Sequence, residues 1–400
     1  MRSAVALLLI AGCGRFAFDD RNDDAGNLIV DTTPGGVTSV AITPDPFTTS
    51  STSFVPVPNS TMTVPASPGQ RWLLLVSGTL QSTSLDFRSP QVHYLVDGVE
   101  RGFGGTESIE AGRPGPWQHL YMIDGTTQPQ TITFELADAL AATTTLDHFH
   151  AVLTPLPAAA DPLYASVDAP PLVTSTAYAP AAQLTLTPAS PGEYLVLLLV
   201  NESEAPSTSD ITTKWFDPMG IAWSPDYKNP RGSRQSHLIV RRVVLSGPST
   251  ITLQAFSVGA QSTVEYVRAI GLRISGLTSF DEATNKTAQL TTVTTPMIAN
   301  TLVPQSVAAA SKYLTFGTVR VDDDCSNTAA AARGVQFTLT GVESSAFEHV
   351  AGNCAAEMTY GYVGLSNTRP TGVSVSFHSG NGMNQIVSHR ESTLFVVGVP

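Results

Sequence analysis

The chain has 400 residues, 42% of them hydrophobic and only 14% charged, which is length enough for two to four domains and too apolar for wholesale disorder. A net charge of −12 argues against a nucleic-acid partner, because neutralising phosphates takes clustered Lys and Arg. Abundant Gly (31) and Pro (28), with Thr and Ser throughout, suit short strands joined by many turns and suit long helices badly.

The first element is a processing signal. Arg2 gives a positive start, Ala4 to Ala11 form a short apolar run, and Ile10-Ala11-Gly12-Cys13 follows. This resembles the bacterial lipobox, in which the cysteine thiol receives a diacylglycerol before cleavage in front of it. The resemblance implies a signal over residues 1–12, lipidation at Cys13 and a mature chain held by its lipid on the outer membrane, at the periplasmic face or the cell surface. The apolar run itself is far too short to span a bilayer. Residues 13–34 then read as an acidic, Gly-containing tether without sustained apolar periodicity. Within it Asp20, Asn22, Asp24 and Asp31 are spaced somewhat like a calcium loop, but Gly26 falls one place late and no helix pattern flanks it, so a solvated spacer is the expectation.

Beyond the tether the sequence repeats. PASPGQRWLLLV from Pro65 returns as PASPGEYLVLLLV from Pro188, and a weaker copy, AASKYLTFGTV, starts at Ala309. Trp72, Tyr194 and Tyr313 thereby share one position. Upstream, TSFVPVPNSTMTV from Thr52 matches STAYAPAAQLTLT from Ser175, which aligns Phe54 with Tyr178. Downstream, QTITFELA (Gln130), STITLQAF (Ser249) and TGVSVSFH (Thr371) occupy one slot, and HAVLTPL (His150), RAIGLRI (Arg268) and TLFVVGV (Thr393) close each copy. A period of roughly 120 residues is domain duplication, since solenoid repeats are only about 20–45 residues long.

Inside each copy the signals are those of strands. Thr131 to Leu136 alternates polar and apolar as a half-buried strand does. Leu195 to Val200 is continuously apolar after a Pro-Gly turn, which predicts a central strand buried on both faces. Val92 to Val96 runs into Asp97-Gly98, a hairpin-turn dipeptide. The fold class expected is all-β: three tandem antiparallel β-sandwiches, jelly-roll-like, over residues 35–157, 158–278 and 279–400. Pro155 to Ala160 and Ser275 to Thr278 read as linkers, so the copies are expected to fold separately. The order of an aromatic-x-Pro, a Pro-Gly turn before Tyr-Leu-Val, Leu-Val-Asp-Gly, Thr-Ile-Thr-Leu and a closing strand resembles the compact jelly rolls of the tumour-necrosis-factor-like class. That resemblance implies assembly and binding, often as trimers, rather than catalysis, and carries over no functional residue.

Catalytic patterns such as GxSxG, HExxH and the P-loop are absent from the sequence, and Gly102-Phe103-Gly104-Gly105 lacks the last glycine of a dinucleotide loop. No cofactor is implied. His148 and His150, two apart on a strand, are the best metal candidates, with His93 or His119 as a conceivable third ligand. Asp322-Asp323-Asp324 reads as an acidic loop. The strongest ligand candidate is in the second copy, where Trp215, Phe216, Trp223 and Tyr227 crowd together and Lys228, Arg231 and Arg234 follow. Aromatic faces stack on sugar rings and Arg forks pair with carboxylate or phosphate, so an anionic glycan or envelope polymer is the expected ligand. The competing reading is that these aromatics close the mouth of the sandwich. The function expected is therefore non-catalytic binding or adhesion at the cell envelope. Alternatives are a structural subunit of a surface or appendage assembly, and a glycan-active enzyme, which needs two carboxylates roughly 5–10 Å apart across a groove.

With Cys13 assigned to lipid, Cys325 and Cys354 remain. An oxidising periplasm would join them, closing a loop of about 30 residues worth roughly 3–4 kcal/mol; two buried free thiols are the alternative. Mass spectrometry of the exported, non-reduced protein should find the peptides of Cys325 and Cys354 linked, and two free thiols there would refute the pairing.

Overall fold

A computed structural model describes residues 36–41, 46–84, 90–105, 114–168, 172–204, 210–224, 227–229, 234–258, 262–277, 280–292, 294–307, 309–310, 312–323, 332–342, 346–352, 358–379 and 386–399. Cys13, the acidic tether, Cys325 and Cys354 lie outside the described residues. Among those described there is no α-helix and every ladder is antiparallel.

The strands form three pairs of sheets, one pair per copy. In the first copy the inner sheet runs Thr38–Ala41, Thr144–Leu156, Arg71–Ser82, Pro114–Asp124, and the outer sheet places Gln130–Asp138 beside Pro90–Val96 and then Val99–Gly105. The second copy repeats this with Leu163–Val167, Ser262–Arg273, Gly192–Glu204, Arg234–Leu245 inside and Ala179–Leu186, Ser249–Val258, Asp210–Phe216, Tyr227–Asn229 outside. The third has Phe280–Asn285, Val387–Val399, Lys312–Asp323, Met358–Ser366 inside and Met297–Leu302, Gly372–Ser379, Ala332–Thr340, Ala346–Gly352 outside. The repeated segments thus fall on the same strands of each sandwich. Asp97-Gly98 turns its hairpin with φ of 51° and 74°, the left-handed pair that matches the twist of the flanking strands.

Each sandwich has its own core between its two sheets. Trp72, Leu74 and Val76 face Phe134 and Leu136 in the first; Tyr194, Val196, Leu198 and Val200 face Ile251 and Leu253 in the second; Tyr313 and Val319 meet Phe337 and Val375 in the third. A fourth core joins the three copies. The intervening residues of the same central strands, Leu73 and Leu75, Leu195, Leu197 and Leu199, and Leu314 and Phe316, enter one cluster with Leu120, Ile270 and Phe395. Since equivalent positions of every copy meet there, and each inner sheet touches the other two, the copies stand around a common centre. The apolar run at Leu195 to Val200 is explained by this: alternate side chains supply two different cores, so the strand has no wet face.

The junctions also touch one another. Single 3-10 turns at Ala158–Ala160 and Ile274–Gly276 follow the first two copies, and a Cβ added to Gly276 would sit 1.9 Å from the Ala159 carbonyl oxygen. Separate folding of the copies, expected from the repeat alone, therefore meets a structure in which each inner sheet buries its second face against its neighbours.

Leu197 is 1% exposed in the shared core, and Leu197→Ala should cost about 2–5 kcal/mol. Calorimetry should show that loss in the melting of all three copies together, whereas a drop confined to the second copy would contradict the shared core. Residues 158–278 alone would expose Leu195, Leu197, Leu238, Ile270 and Leu272 as one patch and should self-associate.

Candidate functional site

The shared centre changes character along its length. At one end, Leu73, Leu195 and Leu314 come together, then Leu75, Leu197 and Phe316; further along the same strands the inward positions become Ser77, Leu199 and Thr318, and then Thr79, Asn201 and Arg320, all buried. The apolar end holds a cavity of about 520 Å³, lined by Leu73, Leu75, Leu195, Leu197, Leu314 and Phe395 among others. The polar end is sealed by hydrogen bonds between copies. Arg241 pairs with Glu391 at 2.8 Å and donates to the Trp223 carbonyl at 2.7 Å; His237 meets the Thr359 hydroxyl at 3.1 Å, and the Gln118 amide donates to the Thr359 carbonyl. A charge buried this deeply is tolerated only where partners replace its water, and Arg241 has both a carboxylate and two carbonyls.

The seam between the first and second copies is built on Arg268, whose side chain is fully buried. It donates to the Tyr94 hydroxyl at 2.8 Å, to the Leu120 carbonyl at 3.1 Å, to the Arg101 carbonyl and to Asp168 at 3.2 Å. The guanidinium also lies over the rings of Tyr121 and Tyr266, 4.7 and 4.9 Å from their centroids, where the negative ring faces attract it. Burial opposes its charge, but the surrounding Tyr94, Tyr164 and Asp168 outweigh that and hold it protonated. Burial, reinforced by the Arg268 charge, keeps His119 neutral, well below the ordinary imidazole value. Burial likewise pushes the Tyr164 phenol up to about 12.

Tyr266 extends this seam to the surface by donating to Glu100 at 2.8 Å. The Glu100 carboxylate meets His93 Nδ1 at 3.1 Å, while Glu135 takes His93 Nε2 at 2.7 Å, and Phe54 stacks on the imidazole at 3.7 Å. Burial lowers the His93 pKa, but hydrogen bonds and charges from Glu100 and Glu135 together win and raise it above 6.5. The hydrogen bond from His93 in turn lowers Glu100 below 4.5. Both carboxylates are spent on one imidazolium rather than facing each other across a groove.

The residues singled out in the sequence are dispersed. Trp215 is 0% exposed inside the second sandwich and Trp223 packs against the same core, so Trp215 closes the sandwich and offers no face to a ligand. That corrects the expected role of Trp215, while Trp223 is half-buried. The backbones of Tyr227, Lys228 and Arg234 lie on strands, but their side chains and all of Arg231 fall outside the described residues. His148 sits in a bulge with φ of 51°, which breaks the alternation that would aim it beside His150. His150 packs 6.2 Å from the Tyr362 ring of the third copy, and burial followed by repulsion from His148 lowers its pKa to about 4. With His93 and His119 bound elsewhere, no group of three His, Cys, Asp or Glu is placed to hold a metal among the described residues. Asp322 pairs with Arg390 at 2.6 Å; Asp324 lies outside the described residues.

Sequence reasoning missed Arg268, although a signal was present. The closing segments align His150, Arg268 and Thr393, a polar residue at one position just before an apolar run, and that position faces the neighbouring copies.

No protein-family model matches the chain. No curated protein matches it. Among solved structures, it is similar to that of the Sulfolobus turreted icosahedral virus, at 10% identity over 87% of this chain and 86% of that one, with a TM-score of 0.21. It is also similar to the tandem CBM22-1–CBM22-2 domain of Paenibacillus barcinonensis Xyn10C, at 12% identity over 60% and 94%, TM-score 0.19. A third likeness is to PNGF-II, at 8% identity over 83% and 99%, TM-score 0.26.

Because the folded value of His93 lies above 6.5, its contribution to stability is complete below pH 6.5 and is lost as pH rises through that folded value. His93→Gln should abolish this alkaline decline. Melting temperatures from pH 6 to 9 check it; parallel curves for the two proteins would show that His93 does not titrate with folding.

Proposed function

We propose that the chain is a non-catalytic envelope lipoprotein in which three sandwiches make one three-lobed head, carried on a lipidated Cys13 through the acidic stretch 13–34, and that this head acts by binding or adhesion. The observation that carries the reading is the shared core, which fixes the three copies in one orientation. Because equivalent strands lie side by side, the connections after Ser82, Glu204 and Asp323 all leave from the end opposite the cavity. The backbones of Lys228 and Arg234, which bound a basic stretch of the sequence, lie at that end too, Lys228 pairing with Thr212 and Arg234 with Ser203 next to Glu204. In a chain of net charge −12, a local Lys and Arg cluster at the loop-bearing end suits an anionic glycan or envelope polymer. Trp215 takes no part in this binding, and the charge of Lys228, Arg231 and Arg234 supplies the attraction.

Cys13→Ser should move the protein from the membrane to the soluble fraction, and a variant still found with membranes would sink the anchor. The soluble Cys13→Ser chain, applied to an array of neutral and anionic glycans, should bind anionic ones. Changing Arg231 and Arg234 together to Ala should weaken that binding at least tenfold, with an effect that fades at high salt, because exposed charges are screened within about 10 Å at 0.1 M. Salt-insensitive binding would point to a neutral sugar. Binding to nothing on the array, with self-assembly visible by light scattering, would favour a structural subunit.

A further inference from the structure

The cavity in the shared core is not used by the reading above, and its chemistry is of a different kind. We propose that it is a binding site for one unbranched alkyl chain, such as that of a fatty acid or a monoacyl lipid. Three observations converge on this ligand. The walls are aliphatic, with Leu73, Leu195 and Leu314 contributed by the three copies at equivalent positions and Phe395 among them, and no charged residue is among the described residues that line it. Its polar lining groups are already engaged: the Gln70 amide donates to the carbonyls of Arg71 and Leu156, and the Thr154 hydroxyl to that of Pro155. A sugar, peptide or phosphate placed there would lose its water with nothing to replace it, whereas an alkyl chain loses nothing. Finally, the volume of about 520 Å³ falls within the roughly 300–1,000 Å³ of small-molecule sites, and walls with so few polar groups offer little to hold ordered water in place.

The site is built rather than incidental. It lies where all three inner sheets meet, and it is also lined by the junction residues Pro157 and Leu277, the Ala309–Ala310 segment and the carboxy-terminal strand at Val399. The chain also enters the head here. Thr38 pairs with Leu153, beside the lining residue Thr154, and the Lys312 ammonium donates to the Val37 carbonyl at 2.9 Å. Cys13 precedes Val37 by 24 residues, a stretch that can span up to roughly 80 Å when extended, so an acyl group on Cys13 is within reach of the rim. The alkyl chain can thus come from a free lipid or from the protein's own anchor.

The experiment uses the full chain carrying Cys13→Ser, titrated with a fluorescent polyene fatty acid and then with saturated fatty acids of increasing length as competitors. Affinity should rise about fourfold for each added methylene until the cavity is full and then level off. Ala309→Phe, which places bulk at an exposed lining position outside every core cluster, should reduce affinity at least tenfold while leaving the melting temperature unchanged. The same titration on the lipidated protein extracted from membranes separates the two sources. Uptake equal to that of Cys13→Ser identifies free lipid as the occupant, and uptake blocked until the anchor is cleaved off identifies the protein's own acyl chain. Absence of saturable probe uptake by the Cys13→Ser chain, or affinity independent of alkyl length, overturns the site. Because this readout does not involve the loop-bearing end, its failure leaves the glycan reading standing, and the reverse also holds.

Discussion

Everything in this molecule depends on the contact between the second faces of three antiparallel sheets. Such a sheet usually keeps one face wet, and its strands alternate accordingly. Here the central strand of each copy is apolar on both sides, with Leu195, Leu197 and Leu199 in the shared core and Tyr194, Val196 and Leu198 in the core of their own sandwich. A fully buried leucine is worth roughly 1.5–3 kcal/mol relative to an exposed one, so the shared cluster outweighs any single polar contact between copies. The polar half of the centre decides something else, namely which copy goes where.

That division of labour is visible in side chains at one position. His150, Arg268 and Thr393 begin the closing apolar stretches of the three copies, yet only Arg268 finds Tyr94, Asp168 and two carbonyls around it. Across the next seam Arg241 meets Glu391, and across the third His150 meets Tyr362. Three identical copies could exchange places, whereas these cannot, because exchange would leave the buried charges of Arg268 and Arg241 without their partners. Divergence among the copies has therefore gone furthest in the polar contacts and least in the leucines.

The sequence carried the fold well because repetition and strand patterning are local or periodic properties. The Pro68-Gly69 turn, the alternation at Thr131 to Leu136 and the Asp97-Gly98 hairpin were all readable and sit where those residues require, whereas Gly192 opens a strand rather than a turn. What surrounds the second face of Leu195 to Val200 was not readable, since it is covered by residues of the other two copies, such as Leu73 and Leu314, and the same pattern would suit a strand inside one large sandwich. Trp215 misled for a related reason: an aromatic cluster in a turn-rich segment looks the same whether the ring points into the core or into solvent. His148 and His150 misled because one bulge reverses the facing that strand periodicity predicts. Functional side chains depend on such single-residue irregularities far more than the fold does.

The two short junctions, with Gly276 pressed against Ala159, have a consequence for how the head comes into being. A trimer of separate chains forms by collision and comes apart on dilution, so its yield follows the concentration of its parts. Here the second and third sandwiches arrive already tethered to the first, and the encounter that completes the centre is intramolecular, with an effective concentration set by junctions only a few residues long. The head therefore assembles with the same completeness from one molecule in a compartment as from a thousand, and its order of copies is inherited from the order of synthesis rather than selected from a mixture.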